Sequence, residues 1–395
     1  MDWYTINNIE DLDTPALVVY PDRVRENIQR AISMVGSPAR LRPHVKTHKS
    51  PAVTRLMLEA GIRQFKCATI AEAEMLATEG APDVLLAYQP IGPKIARLAA
   101  LIRQFPATEF SCLIDNPYAA TAMARVFNAA GLVVPVYLDL NVGMDRTGIN
   151  PGPDAMAFYK LALQLDGINP VGLHAYDGHI RDADPEQRKQ KCDSAFAGVT
   201  RLRAAIAGDS ASTTGSPSTT GGSFAASSTQ GASWSPDQPL KIIAGGSPTF
   251  PIHARRAAEI QCSPGTFVYW DEGYGDQFKD ESFLPAALVI TRVISLRGDT
   301  RLCLDLGHKS IGSENDLNRR VLFLNGGSLR PVGQSEEHLV VEAGAGHGHL
   351  IGDVFYGVPF HICPTVALYE RALTIEEGRH TGDWKNAARD RKLTI

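Results

Sequence analysis

No CxxC pair occurs among the six cysteines, which stand singly at Cys67, Cys112, Cys192, Cys262, Cys303 and Cys363. In a chain of this size that scatter argues against a disulfide framework and reads as the reduced thiols of a cytoplasmic protein. No apolar run approaches the roughly 20 residues that a membrane span requires. The opening MDWYTINNIEDLD is polar and acidic and lacks a charged-then-apolar leader, so a cytoplasmic location is expected. Basic charge is not in excess: 39 Lys and Arg against 43 Asp and Glu leave a net charge of −4. That balance predicts neither nucleic acid nor a membrane surface as partner. Also missing is a dinucleotide-type GxGxxG after the first strand-like run. What is there is an ordinary apolar share of 44% in 395 residues, enough for two domains or for one large barrel with an appendage.

From residue 15 to about residue 246 the chain alternates short apolar runs with amphipathic ones. Eight runs read as strands: PALVVY, LRPHVK, QFKCATI, DVLLAY, EFSCLI, VVPVYLDL, PVGLHAY and LKIIAGG. Helical spacing fills the intervals. In PDRVRENIQRAISMV, Val24, Ile28, Ile32 and Val35 fall at i, i+4, i+8 and i+11 on one face, and Pro21 sits where a missing N–H costs nothing. Eight such units predict a closed (β/α)8 TIM-like barrel. A doubly wound open sheet is the competing arrangement, and both place functional residues at the carboxyl ends of strands. Residues 209–238, rich in Ser, Thr and Gly, interrupt the rhythm. They hold too little apolar surface to offset their ordering entropy and read as a flexible surface insertion, a functional lid being the other reading. After Trp270 come strand-like runs with few helices between them, such as AALVITRVISL, TRLCLDLG and HLVVE. The predicted organisation is therefore a barrel over residues 13–270 and a mostly β C-terminal domain over residues 271–395, the latter joined by residues 1–12.

Chemistry concentrates in a few places. LRPHVKTHKS, residues 41–50, gathers two lysines, two histidines and an arginine. Read as a strand ending at Lys46, it points His44 and Lys46 to one side and Pro43, Val45 and Thr47 to the other. A lysine at a barrel mouth crowded by Arg42, His44 and His48 holds its proton less tightly and becomes a nucleophile toward an aldehyde; an ordinary solvated strand end is the plainer reading. AGGSPT, residues 244–249, and SPGT, residues 263–266, combine glycines with hydroxyl residues, as a phosphate cradle requires. His361 and Cys363 form an H-x-C in a strand-like run, which puts both side chains on one face. Imidazole and thiolate suit zinc but leave coordination positions unfilled, and the spacing alone is a weak signal. Asp305, Lys309, Glu337 and His338 at predicted strand ends, and His347 with His349 in a glycine-rich turn, carry no assigned role.

Together RPHVKTHK, GMDRTG, GLHAYDGH, GGSPT, CSPGTFVYWD, EEH and a late H-x-C-PT resemble the D-threonine aldolase and D-serine dehydratase family. These are pyridoxal-phosphate enzymes with an alanine-racemase-like barrel and a C-terminal β domain. The resemblance covers nearly the whole chain apart from the Ser/Thr-rich segment. It implies that Lys46, rather than Lys49, attaches the cofactor covalently. It further implies that Arg146 contacts the pyridoxal ring, that Tyr176 stands beside it, and that Gly246, Ser247, Gly265 and Thr266 bind the phosphate. His361, also implied in catalysis, and Cys363 would hold a divalent metal, Mn2+ or Zn2+ with Mg2+ and Co2+ as further candidates. One departure stands out: many of the aldolases have H-x-D where this chain has H-x-C, a form familiar from the dehydratases. The implied reaction is cleavage of a D-β-hydroxy-α-amino acid to glycine and an aldehyde. Dehydration of D-serine or D-3-hydroxyaspartate to a 2-oxo acid and ammonia is the alternative. An amino-acid racemase and a non-catalytic pyridoxal-phosphate carrier are more distant ones. The implied partners are a small D-amino acid and a second copy of the chain in a homodimer.

Overall fold

The structure, a computed structural model, describes residues 2–213 and 240–395. It divides into two compact units. A barrel unit comprises Val35–Pro43, Ile62–Pro264 and Thr394–Ile395; a β unit comprises Met1–Met34, His44–Gly61 and Gly265–Leu393. This division interleaves along the chain and does not follow one linear boundary. In chain order the strands are β1 (Ala16–Val19), β2 (Gln64–Cys67), β3 (Asp83–Leu86), β4 (Glu109–Ile114), β5 (Val134–Leu140), β6 (Ile168–Ala175), β7 (Lys241–Ala244) and β8 (Ile260–Cys262). There follow β9 (Ala287–Arg297), β10 (Arg301–Leu304), β11 (Val321–Phe323), β12 (Arg330–Gln334), β13 (Leu339–Glu342), β14 (Val354–Pro359), β15 (Arg371–Glu376) and β16 (Arg379–Lys385).

In the barrel unit β2 to β8 lie side by side in sequence order, all parallel. Their near-continuous apolar runs suit a sheet buried on both faces. Residues 41–43 complete the ring. Leu41 bridges Cys262 in parallel, the Arg42 N–H donates to Cys262 O at 2.9 Å, and the Lys66 N–H donates to Pro43 O at 2.9 Å. The Arg42 guanidinium, fully buried, forks onto both oxygens of Asp83 at 2.6 Å and donates to Gln261 at 2.7 Å, tying this stave to β3 and β8. Inside the ring Leu85, Leu113, Tyr137, Val171 and Ile243 pack as one cluster. Gly172 on β6 is required there, since a Cβ would stand 2.4 Å from Lys241 O and 2.7 Å from the Tyr137 ring. Helices between the strands open on proline at Pro93, Pro117, Pro153 and Pro185, the position where its lost donor is free of cost.

The eight-stave barrel therefore stands, with different staves from those read in the sequence. PALVVY is β1, but it pairs antiparallel with β9 and parallel with β15 in the β unit. Its place in the ring is filled by the three-residue β8, too short to register as a strand from periodicity. The expected strand through Lys46 ends sooner: residues 45–48 form a turn, closed by the Lys49 N–H donating to Val45 O at 2.9 Å. The helix beginning at Pro185 runs to Thr213, so residues 209–213 continue it; the remainder of the Ser/Thr-rich segment, residues 214–238, lies outside the described residues.

The β unit carries the strand order β12-β13-β10-β9-β1-β15-β16, with β14 also on β9 and β11 on β14. The eleven-residue β9 is its hub, pairing with β1, β10 and β14. Ile6 and Leu12 of the first segment pack with Val18, Leu288, Ile290 and Tyr356 in its core. Helix Pro21–Val35 buries Val24, Ile28, Ala31 and Val35, while Ile32 is half-buried. Three of the four expected face residues are thus buried, and the 3.6-residue period brings Ala31 rather than Ile32 into line with them. No helix among the described residues is long and apolar enough to cross a membrane.

Candidate functional site

Within the β unit, Lys46 lies in a turn shaped by its own histidines. His44 Nδ1 accepts the Lys46 N–H at 3.2 Å, and His48 Nδ1 accepts the Ser50 N–H at 3.1 Å. Burial, with the charge of Lys49, lowers the His48 pKa to about 3. The expected crowd of cations around Lys46 is thus corrected: both histidines are committed to backbone donors, and His48 stays neutral. Gly265 packs against this turn so closely that a Cβ would sit 3.1 Å from His44 O and 3.4 Å from Thr47 Oγ1. Thr266 follows in a short 3-10 helix, Thr266–Val268.

Cys363 comes to the same place. Its Sγ lies 3.1 Å from Thr47 Oγ1 and 3.9 Å from Thr266 Oγ1. His361 and Cys363 are not on a strand, as the sequence suggested. β14 ends at Pro359, His361 caps helix Ile362–Leu368, and Cys363 lies in its first turn. The pair still meets, because His361 is extended and the helix turns Cys363 back onto it. Burial raises the Cys363 pKa, but the hydrogen bond and charge of His361, then the charge of Lys46 and the Thr47 hydroxyl, outweigh it and bring the thiol below its ordinary value. For His361 burial works against the cation, yet the hydrogen bond and charge of Cys363, with Asp271 and Glu314, lift it to about 9. The two shifts oppose each other in sign, each group favouring the charged form of the other. Asp271, buried, holds their backbone: its Oδ2 accepts the Ile362 N–H at 3.1 Å and its Oδ1 the Tyr274 N–H at 3.0 Å. Glu314 hydrogen-bonds His361 Nδ1.

The barrel unit holds the other predicted residues. Arg146 is presented by the loop after β5, where Asn141 Oδ1 accepts the Gly143 and Asp145 N–H groups at 3.0 and 3.1 Å. Gly148, at φ +96, turns so tightly that a Cβ would lie 2.6 Å from Asn141 N. The Arg146 guanidinium stands 5.0 Å from the centroid of the Tyr176 ring, and Lys66 Nζ lies 5.5 Å from it. Asp139, Asn141, Met144, Arg146, Thr147 and Tyr176 line one cleft. Gly246 abuts the same ring, since a Cβ there would lie 2.9 Å from Tyr176 Cε2. Ser247, buried, opens the 3-10 helix Ser247–Thr249.

Sequence reasoning missed the buried groups beneath these. Asp139 Oδ1 meets His174 Nδ1 at 2.7 Å and Asp139 Oδ2 accepts from Thr147 at 2.8 Å. Burial, then the charge of Lys66, lowers the His174 pKa against the pull of Asp139. Its neutral ring donates from Nδ1, and Nε2 is buried with no protein partner. Asp177, Cys192 and His253 form a buried group whose atom types could hold a metal ion. Their hydrogen bonds are complete without one: Asp177 accepts from Thr249 at 2.6 Å and pairs with His253 Nε2 at 2.8 Å, while Arg256 donates to His253 Nδ1 at 3.2 Å. A metal on Nε2 would leave that ring without a proton on either nitrogen, whereas metal-bound histidines donate from the other one. The network reaches the turn at Gly246, because Thr249 Oγ1 accepts the Gly246 N–H at 3.3 Å. Other candidates are structural. Asp305 accepts from Thr14 and Thr291, both at 2.5 Å; Lys309 pairs with Glu336 and Glu337; His347 accepts the His349 N–H at 3.0 Å. His338 O accepts the Ser335 N–H at 2.9 Å.

The family model for the alanine racemase N-terminal domain matches residues 19–231. The chain belongs to this family. Residues 286–375 of this alanine racemase family chain match a serine dehydratase domain model. Among curated relatives, the D-threonine aldolase of Arthrobacter sp. is 26% identical over 96% of this chain and 93% of its own. The 3-hydroxy-D-aspartate aldolase of Paracoccus denitrificans is 24% identical over 96% and 92%. Among solved structures, D-threonine aldolase from Filomicrobium marinum superposes with a TM-score of 0.82 at 23% identity, covering 96% of each chain. D-threo-3-hydroxyaspartate dehydratase from Delftia sp. HT23 gives 0.78 at 21%, covering 95% of this chain and 97% of its own. The fold is that of the alanine-racemase-like enzymes.

Proposed function

We propose that the protein is a pyridoxal-phosphate- and divalent-metal-dependent lyase of D-threonine aldolase type. It would cleave the Cα–Cβ bond of D-β-hydroxy-α-amino acids to glycine and an aldehyde, as a cytoplasmic homodimer. The observation that carries the reading is the convergence of residues remote in sequence: Thr47, beside Lys46, and Thr266 both reach the Cys363 thiol, which bonds His361. The relatives that span most of this chain include two named as aldolases, which are carbon–carbon lyases.

The residues fit both groups. A depressed thiol, an imidazole and a carboxylate on that imidazole are a donor set for a divalent ion. In the barrel unit, the unpartnered His174 Nε2 and the missing Cβ of Gly246 suit a heteroaromatic ligand with polar substituents. Lys46 is assigned the covalent attachment of pyridoxal phosphate, Arg146 and Tyr176 its ring, Gly246, Ser247, Gly265 and Thr266 its phosphate, and His361 and Cys363 the metal. The bound cofactor supplies an electron sink for charge developing at Cα, and the ion Lewis-acid polarisation of a hydroxyl. The chain itself contributes orientation and proton handling. Thr47 and Thr266 fix the position of Cys363 Sγ; once the β-hydroxyl has given up its proton and the Cα–Cβ bond has broken, the Lys46 amine would deliver a proton to the α-carbon to complete glycine.

A dehydratase outcome rests on a specific observation, the H-x-C spacing. Solved variants of a D-threo-3-hydroxyaspartate dehydratase replace a cysteine, in a form described as metal-free, and a histidine numbered two positions before it. Purified protein supplied with pyridoxal phosphate and Mn2+ is to be incubated with D-threonine and with D-serine. Glycine and acetaldehyde from D-threonine, abolished by chelation and by Lys46→Ala, are expected. Formation of 2-oxobutanoate and ammonia instead would convert the assignment to dehydratase; activity indifferent to chelation would remove the metal and favour a racemase.

A further inference from the structure

We infer that Glu314 is the positioning residue of the proposed metal centre: it takes the Nδ1–H of His361 and so makes Nε2 the ligand atom. This inference rests on the assignment of His361 and Cys363 as metal ligands, and deepens it. A carboxylate only accepts, so the imidazole must donate from Nδ1, and Nε2 is the nitrogen whose proton a binding cation displaces.

Two observations beyond the hydrogen bond itself point the same way. The first is energetic. The side chains of His361 and Glu314 are 46% and 44% exposed, and so exposed a pair contributes little to folding, because water screens it. A contact of little value to the fold is well suited to orienting a ring. The second is mechanical. The loop that carries Glu314 is fastened to the helix that carries Cys363 by a relay through Thr365, which is fully buried. The Gly312 N–H donates to Thr365 Oγ1 at 3.0 Å, and the Thr365 hydroxyl donates to His361 O at 2.9 Å. Gly312 allows the approach: a Cβ there would lie 2.8 Å from Pro364 Cγ, 3.2 Å from Glu314 Oε2 and 3.2 Å from His361 O. Loop, histidine and cysteine are thereby held in one register, with Asp271 clamping the Ile362 N–H between the two proposed ligands. Nothing in GSEND, an unremarkable polar loop, signals this from sequence.

The test uses the full-length protein and Co2+, whose visible bands report ligand number and thiolate coordination, with affinity read by competition against a chelating dye. Glu314→Ala is expected to weaken Co2+ binding about 10- to 100-fold. It should leave the thiolate-to-cobalt band and the melting curve as in the unsubstituted protein. Glu314→Gln, whose amide oxygen still accepts from Nδ1, is expected to stay within a few-fold. Unchanged affinity in Glu314→Ala overturns the inference. So does equal loss in both variants with a change in ligand number, which would make Glu314 itself a ligand. If the unsubstituted protein binds no Co2+, or His361→Ala binds it equally well, the metal assignment fails instead.

Discussion

Gly246 shows how much depends on one missing carbon. A Cβ there would come 2.9 Å from the Tyr176 ring, and overpacking of that kind costs about 1–3 kcal/mol. Gly246→Ala should therefore weaken retention of pyridoxal phosphate by about tenfold or more, read by titration of the cofactor's absorption. Retention equal to that of the native glycine would show that the cradle lies elsewhere. At this scale the sequence was most informative about residue identity and least about surroundings. Lys46, Thr266, His361 and Cys363 could be proposed from residue type and motif, whereas Glu314, Asp271 and His174 could not. The latter act through backbone amides and ring nitrogens whose direction no pattern of residue types encodes.

Among the elements, residues 41–43 are the instructive case. They form a stave only because Arg42 is fixed from three sides, by Asp83, by Gln261 and by Phe65 O. Asp83→Ala would strand a fully buried guanidinium, and removal of one partner of such a pair costs about 3–5 kcal/mol. The expected outcome is a clear fall in the urea midpoint; a loss below about 1 kcal/mol would mean that Gln261 and the carbonyl suffice. The misplacement of PALVVY has the same root. Its apolar run fits any buried strand, and pairing with β9 and β15 rather than with β2 is set by partners remote in sequence.

At the scale of the whole molecule, four buried groups among the described residues resist acid. His48 and His174 have folded pKa values below the ordinary histidine value, and Asp139 and Asp177 lie below the ordinary aspartate value. For the aspartates burial is opposed and outweighed chiefly by His174 and His253 respectively. Above pH ~6.5 the histidines are neutral in both the folded and unfolded states and contribute no slope. As the pH falls further the unfolded chain takes up protons that the folded one refuses, so stability declines, for His48 down to about pH 3. The aspartates add their share only below the ordinary aspartate pKa, where the unfolded carboxylates protonate first. His48→Gln should flatten the stability profile between about pH 6 and 4 by about one proton, or about 1.4 kcal/mol per pH unit. Denaturant melts across that window would show it, and an unaltered slope would contradict it.

The sequence by itself determined the kind of fold and the chemistry on offer: alternating apolar and amphipathic runs specify a parallel barrel. A lysine, hydroxyl-bearing glycine turns and an imidazole–thiol pair are readable as residue types. Tertiary structure decided which runs became staves, that Lys46 sits in a turn, and that Cys363 meets His361 from a helix rather than a strand. The physical reason is range. Periodicity and turn chemistry are local, within a few residues, whereas ring closure, buried ion pairs and the orientation of a histidine depend on partners tens to hundreds of positions away.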